Sequence, residues 1–166
     1  MMLTKVKNRH PLKRKEVKEL IDKIRETFNY DFFDEKSNVE TGEMEEYKLI
    51  FIENEPVFIY HENEIVFTLR GLDKFRPQER FVIVDMGAVR FVTSGADVMA
   101  PGIVDADKNI KEKQQVWVCD EKHKKPLAVG FALMSGEQMI KEEKGKAVKV
   151  VHYVGDMLWN LISKSL

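Results

Sequence analysis

The run from Val84 to Ile103 constrains this chain more than any other. It is apolar and poor in charge, and it holds Gly87, Gly95, Pro101 and Gly102 inside a sequence otherwise crowded with Lys and Glu. Glycine at that density brings a backbone close to something, because it lacks a Cβ and takes positive φ freely. That neighbour is either another strand or a ligand. Read locally, Phe81 to Val84 is a strand. Met86 to Thr93 is a short helix with Ala88, Val89 and Val92 inward, closed by Gly95 as a left-handed cap. Val98 to Ile103 is a short strand interrupted at Pro101-Gly102.

The residues after it continue in short strands. Val116 to Asp120 and Pro126 to Met134 form a hairpin around a Lys/His turn. Ser135 with Glu137 or Gln138 opens a helical segment to about Glu143, Gly145 ends it, and Ala147 to Tyr153 is a strand. The tail carries Trp159 and Leu161. Many short strands with two short helices predict a small mixed barrel.

The first half reads differently. Leu3 to Arg9 is a short strand. A helix follows from about Leu12 to Phe28, with Val17, Leu20, Ile21, Ile24 and Phe28 on one stripe. Asp31 to Glu46 reads as an acidic, turn-rich patch. Three strands are expected at Tyr47 to Glu53, Pro56 to Tyr60 and Glu64 to Leu69, with hairpin turns at Asn54-Glu55 and Glu62-Asn63. Gly71 to Glu79 reads as a linker. This gives an α+β chain with an N-terminal unit of about 75 residues and a second unit starting near Arg80.

Bulk numbers exclude several classes. The 27 basic and 28 acidic residues nearly cancel over 166 positions, so polyanion binding requires local asymmetry. Such asymmetry exists at the start, where Lys5, Lys7, Arg9, Lys13, Arg14, Lys15 and Lys18 face only Glu16. That patch either meets RNA or another acidic surface, or pairs with Asp31 to Glu46. One cysteine, Cys119, rules out an internal disulfide and fits a reducing compartment. No signal peptide or apolar run of membrane length is seen, and a cytoplasmic protein without a membrane role is expected.

Catalysis finds little support, so no catalytic residue, cofactor or metal is expected. Cys119 and His123 flank a turn with no second pair to complete a tetrahedral site. Asp85, Asp97, Asp105 and Asp107 match no calcium loop, and there is no phosphate-binding GKS/T or complete GxGxxG motif. Binding has more to work with. The loop Ser94 to Gly102 offers backbone N–H groups with little side-chain bulk, suited to a sugar-phosphate backbone. Nearby cations are Arg90, Lys108, Lys111, Lys113, Lys144, Lys146 and Lys149, set against the plain reading of a tight turn and a solvated face.

The quoted run, with Gly145-Lys146-Ala147-Val148 and His152-Tyr153-Val154-Gly155-Asp156-Met157-Leu158-Trp159, resembles a PUA domain. Over the whole chain it resembles the malignant T-cell-amplified sequence family and its archaeal relatives. The weaker N-terminal match includes Phe67-Thr68-Leu69-Arg70. The resemblance implies a pre-PUA α/β domain at 1–76 and a mixed-β PUA pseudo-barrel at 80–163. It implies a non-enzymatic RNA-binding protein, acting on tRNA or the small ribosomal subunit in initiation, reinitiation or recycling, beside an initiation-factor-one-like partner. A ribosome-assembly factor on pre-rRNA is the alternative. Ser94, Gly95, Ala96, Asp97, Val98, Met99, Pro101 and Gly102, with Arg90, Lys146 and Lys149, are the expected RNA-binding residues. Gly95→Glu and Gly102→Glu are expected to weaken binding and spare the fold. Gly87 is expected to permit a turn, Trp159 to fill core, and His152 to be a satisfied core residue.

Overall fold

The computed structural model describes residues 6–165. The chain divides into two compact units: one runs to Arg76 and takes in the chain from Asn160 onward, the other is Pro77–Trp159.

The first unit contains β1 (Lys7–Pro11), α1 (Arg14–Phe28), β2 (Val39–Met44), β3 (Tyr47–Ile52), β4 (Glu55–His61), β5 (Glu64–Phe67) and α2 (Leu69–Phe75). Its five strands form an antiparallel meander in chain order. Helix α1 buries the expected stripe of Val17, Leu20, Ile21, Ile24 and Phe28. Below it lies an aromatic core, with Phe67 4.9 Å from Phe28 and 4.7 Å from Phe58, centroid to centroid. Both β3–β4 and β4–β5 turns place two residues at positive φ, Glu53-Asn54 and Glu62-Asn63. That is the twist-matched geometry of two-residue hairpins. The first turn therefore sits one residue earlier than expected.

Two expectations fail here. The acidic patch holds a full strand, β2, whose Val39, Thr41, Gly42 and Met44 are buried while Glu43 faces out. The expected linker holds helix α2, started by the Thr68 hydroxyl accepting the Gly71 N–H at 2.9 Å. Gly71 is a packing residue: a Cβ there would drive into the Val57 carbonyl on β4.

The expected first strand starts partly outside the described residues, as does Lys5. Its observed part, β1, is an exposed edge strand. Part of the basic segment pairs within its own unit. Arg9 meets Glu40 at 3.0 Å, and Arg14 and Lys18 approach Glu35 at 3.6 and 3.7 Å.

The second unit contains β6 (Phe81–Val84), α3 (Met86–Val92), β7 (Val98–Met99), a 3-10 turn at Ala100–Gly102, β8 (Ile103–Ala106), β9 (Gln115–Asp120), β10 (Pro126–Ala132), α4 (Gly136–Lys141) and β11 (Lys146–Tyr153). Helix α5 (Met157–Ser165) begins in this unit. The strand order is β7-β11-β10-β9-β6-β8. Strands β7 and β8 lie at opposite edges of the sheet, yet only three residues join them. The sheet must therefore curl until its edges nearly meet, and a nearly closed barrel results. Val82, Val84, Val116, Val118, Ala147 and Val148 fill it. The expected interrupted strand at Val98 to Ile103 is thus two strands on two edges. Ser135 and Gln138 cap α4 reciprocally. The tail is helical, because the Asp156 carboxylate accepts the Trp159 N–H at 2.7 Å. Trp159 does not fill core; it is exposed. No helix among the described residues is long and apolar enough to cross a membrane.

Candidate functional site

Helix α3 is fixed at both ends by its own sequence. The Asp85 carboxylate accepts the Ala88 N–H at 2.8 Å. The Asp85 N–H donates to the Gly102 carbonyl at 2.9 Å, tying the helix start to the 3-10 turn. At the other end the Gly95 N–H donates to Val92 O and the Ala96 N–H to Phe91 O, at 3.1 and 3.0 Å. With Gly95 at φ +90°, this is the Schellman closure its glycine promised. Gly87 lies within the helix and makes no turn.

The loop then runs to β7, and Asp97 anchors it to β11. One Asp97 carboxylate oxygen accepts the Val150 N–H at 3.1 Å. The other stands 3.6 Å from Lys146 Nζ and 4.0 Å from Lys149 Nζ. Asp97 is 15% exposed, whereas the two lysine side chains are 64% and 66% exposed. One half-buried anion thus holds two solvent-facing cations side by side.

Between α3 and the β7 edge opens a cavity of about 590 Å³. Asp85, Gly87, Ala88, Phe91 and Val92 form its helix wall. Ala96, Asp97, Val98, Met99, Pro101 and Gly102 form the other, with Lys146 beside Met99. Phe91 and Met99 are 55% and 46% exposed. The Arg90 guanidinium lies 4.9 Å from the Phe91 ring centroid. Such a slot offers apolar faces to a planar ring, cations to an anion beside it, and carboxylate acceptors at Asp85 and Asp97.

Among the expected residues, Ala96, Asp97, Val98, Met99, Pro101, Gly102 and Lys146 converge on this cavity. Ser94, Gly95, Arg90 and Lys149 do not line it. The Ser94 hydroxyl donates to Arg90 O at 2.7 Å, so it caps the helix. Lys149 adjoins the cavity through Asp97. Lys108, Lys111, Lys113 and Lys144 are exposed and outside the lining. Sequence reasoning missed Phe91. With Ala88, Val89 and Val92 facing the core, Phe91 had to face out, and an outward aromatic beside a glycine loop was the available signal.

The remaining candidates are structural. His152 is 1% exposed and its Nδ1 lies 2.8 Å from Asp156 Oδ2. Burial pushes the Cys119 thiol up to about 11. Among the described residues no three His, Cys, Asp or Glu side chains cluster as metal ligands.

A PUA-domain family model matches residues 80–154, and a model described as a domain of unknown function, DUF1947, matches residues 8–75. An uncharacterized protein of Methanocaldococcus jannaschii is 45% identical over 93% of this chain and 97% of its own length. Translation machinery-associated protein 20 of Saccharomyces cerevisiae is 32% identical over 75% of this chain and 73% of its own. Malignant T-cell-amplified sequence 2 of Homo sapiens is 35% identical over 57% of this chain and 54% of its own. The crystal structure of a hypothetical protein from Pyrococcus horikoshii superposes with a TM-score of 0.85 at 39% identity, covering 93% of this chain and 99% of that one.

Proposed function

This chain belongs to the PUA-domain family that includes translation machinery-associated protein 20 and the malignant T-cell-amplified sequence proteins, and we propose that it is a non-enzymatic, cytoplasmic RNA-binding protein of translation. Its ligand in this reading is tRNA held on the small ribosomal subunit, in initiation, reinitiation or recycling. An initiation-factor-one-like protein is its expected companion there. The observation that carries the reading is the slot beneath Phe91 and Met99, set beside the paired ammonium groups of Lys146 and Lys149.

The chemistry follows from that pairing. A splayed terminal base stacks on the Phe91 ring and against Met99 and Pro101, and aromatic stacking is tolerant of base identity. The lysines neutralise the adjoining phosphates, which supplies salt-dependent affinity. Backbone groups of the loop fix orientation and carry no duplex code, as expected for RNA read by shape and ends.

Cosedimentation with purified small ribosomal subunits, with and without tRNA, tests this. Migration with the subunit, strengthened by tRNA, is the expected result. Failure to bind either mature subunits or tRNA overturns it.

A further inference from the structure

The β9–β10 turn carries four consecutive basic residues, Lys122, His123, Lys124 and Lys125, all exposed. It is built around one buried carboxylate. Asp120 is 4% exposed and accepts the His123 N–H at 2.6 Å. The backbone N–H groups of Lys125 and Lys122 also bond to it. The Lys124 N–H donates to Asp120 O at 3.1 Å. The turn is thus internally braced, the Lys124 ammonium adding a bond to Glu121 O at 3.1 Å, while the Lys122 and Lys125 side chains are exposed. Among the described residues, Lys122, Lys124 and Lys125 form no ion pair, whereas Lys146 and Lys149 share Asp97.

Its position matters as much as its charge. Strands β6 and β9 run parallel, with Val84 opposite Asp120. The Glu121 N–H donates to Val84 O at 3.0 Å. The residue after Val84 is Asp85, which starts α3 and lines the cavity. The basic tip and the cavity therefore share one end of the sheet, on neighbouring strands.

We propose that the β9–β10 turn is a second RNA-contact site, gripping phosphodiester groups of the same RNA whose end enters the α3–β7 cavity. The proposal rests on the RNA-binding reading above and adds a constraint to it. Apart from the His123 ring, the tip offers point charges and no apolar face, so it adds affinity through phosphates rather than by reading bases. RNA is the occupant favoured over an acidic protein because the tip adjoins the cavity edge, where one continuous polyanion meets both. A ligand long enough to span both sites binds more tightly than one filling the cavity alone.

The test uses the full chain and K122Q/K124Q/K125Q, which removes charge, keeps Asp120 and its backbone bonds, and gives up only the exposed Lys124 bond to Glu121 O. Affinities for whole tRNA and for a four-nucleotide oligomer of its 3′ end are measured across a salt series. The expected result is a loss of about tenfold or more on tRNA, with the salt slope smaller by about 2 to 3, since each neutralised phosphate contributes roughly 0.9. Oligomer affinity and thermal midpoint stay unchanged. Unaltered tRNA affinity and slope overturn the proposal, as does an equal loss on both ligands. Unaltered tRNA affinity with weakened small-subunit cosedimentation assigns the turn to the subunit rather than to the RNA in the cavity and also overturns it. A wild-type chain that binds neither RNA overturns the RNA-binding reading itself.

Discussion

Gly95 is pressed against Tyr153: a Cβ on Gly95 would stand 2.9 Å from the tyrosine ring. Its φ of +90° is one that L side chains rarely adopt. Both facts make Gly95 a residue of the fold. Gly95→Ala is expected to destabilise the chain by about 1–3 kcal/mol, through backbone strain and overpacking. Thermal denaturation checks this; an unchanged midpoint would remove the close contact from the account. Gly102 is tight as well, with its Cβ position 3.0 Å from the Ala88 Cβ. Gly95→Glu therefore strains the fold that the sequence reading expected it to spare, and Gly102→Glu requires Ala88 to give by a few tenths of an ångström, so neither is a clean probe of binding.

Asp97 provides a cleaner one. Asp97→Asn keeps an acceptor for the Val150 N–H and removes the charge facing Lys146 and Lys149. Pairs whose cations are this exposed and this long contribute roughly 0–1 kcal/mol, so stability should move by about that much. RNA affinity should rise at low salt, because two lysines are released from an internal anion, and the gain should fade as salt screens it. Asp97→Ala also strands the Val150 N–H and should lose about 1–3 kcal/mol more. Filter binding at two salt concentrations, beside denaturation curves, separates these outcomes.

The α1 stripe and the Gly95 closure were legible in the sequence because each depends on local spacing and one backbone conformation. Strand β2 was hidden because Glu40 and Glu43 sit between buried Val39, Thr41 and Met44, and Thr41-Gly42 mimics a turn. Helix α2 was hidden because Gly71 looked like a breaker, when its cause is the approach to Val57 across the chain. The cavity was half legible. Its loop wall lay in one motif, but its helix wall needed the outward direction of Phe91, and the grouping of Lys146 with Asp97 needed the β7–β11 pairing.

Asp156 couples the fold to pH. Burial alone would raise its carboxyl, but the His152 ring, together with the N–H groups of Trp159 and Tyr153, holds it below its ordinary 3.8. A depressed folded-state value stabilises the fold above the unfolded-state value, and the contribution disappears as pH falls through the folded one. Stability should therefore decline below about pH 4. Asp156→Asn should flatten that acid limb and lower the neutral-pH stability by about 1–2 kcal/mol, because Asn keeps an acceptor for the Trp159 N–H but loses the oxygen that serves the His152 ring and the Tyr153 N–H. An unchanged acid limb, followed by urea denaturation between pH 5 and pH 2, would contradict this assignment.

Cys119 should be inert in the native state. It is 1% exposed, and burial moves its thiol up to about 11. Almost no thiolate exists near neutral pH, and thiolate is the reactive form. Dithionitrobenzoate should label it only as fast as the chain opens. Rapid labelling in native buffer would show an accessible, activated thiol instead.

If RNA enters the slot between α3 and β7, Phe91 is its most direct reporter. The ring is 55% exposed and lines the cavity, so its removal should leave the fold unchanged. Fluorescence anisotropy of end-labelled tRNA, titrated with the wild-type chain, Phe91→Ala and Phe91→Tyr, measures its role. Phe91→Ala should lose about 1–3 kcal/mol, roughly 5- to 150-fold in affinity, with Phe91→Tyr close to wild type. Wild-type affinity in a folded Phe91→Ala protein would contradict RNA entry into the slot.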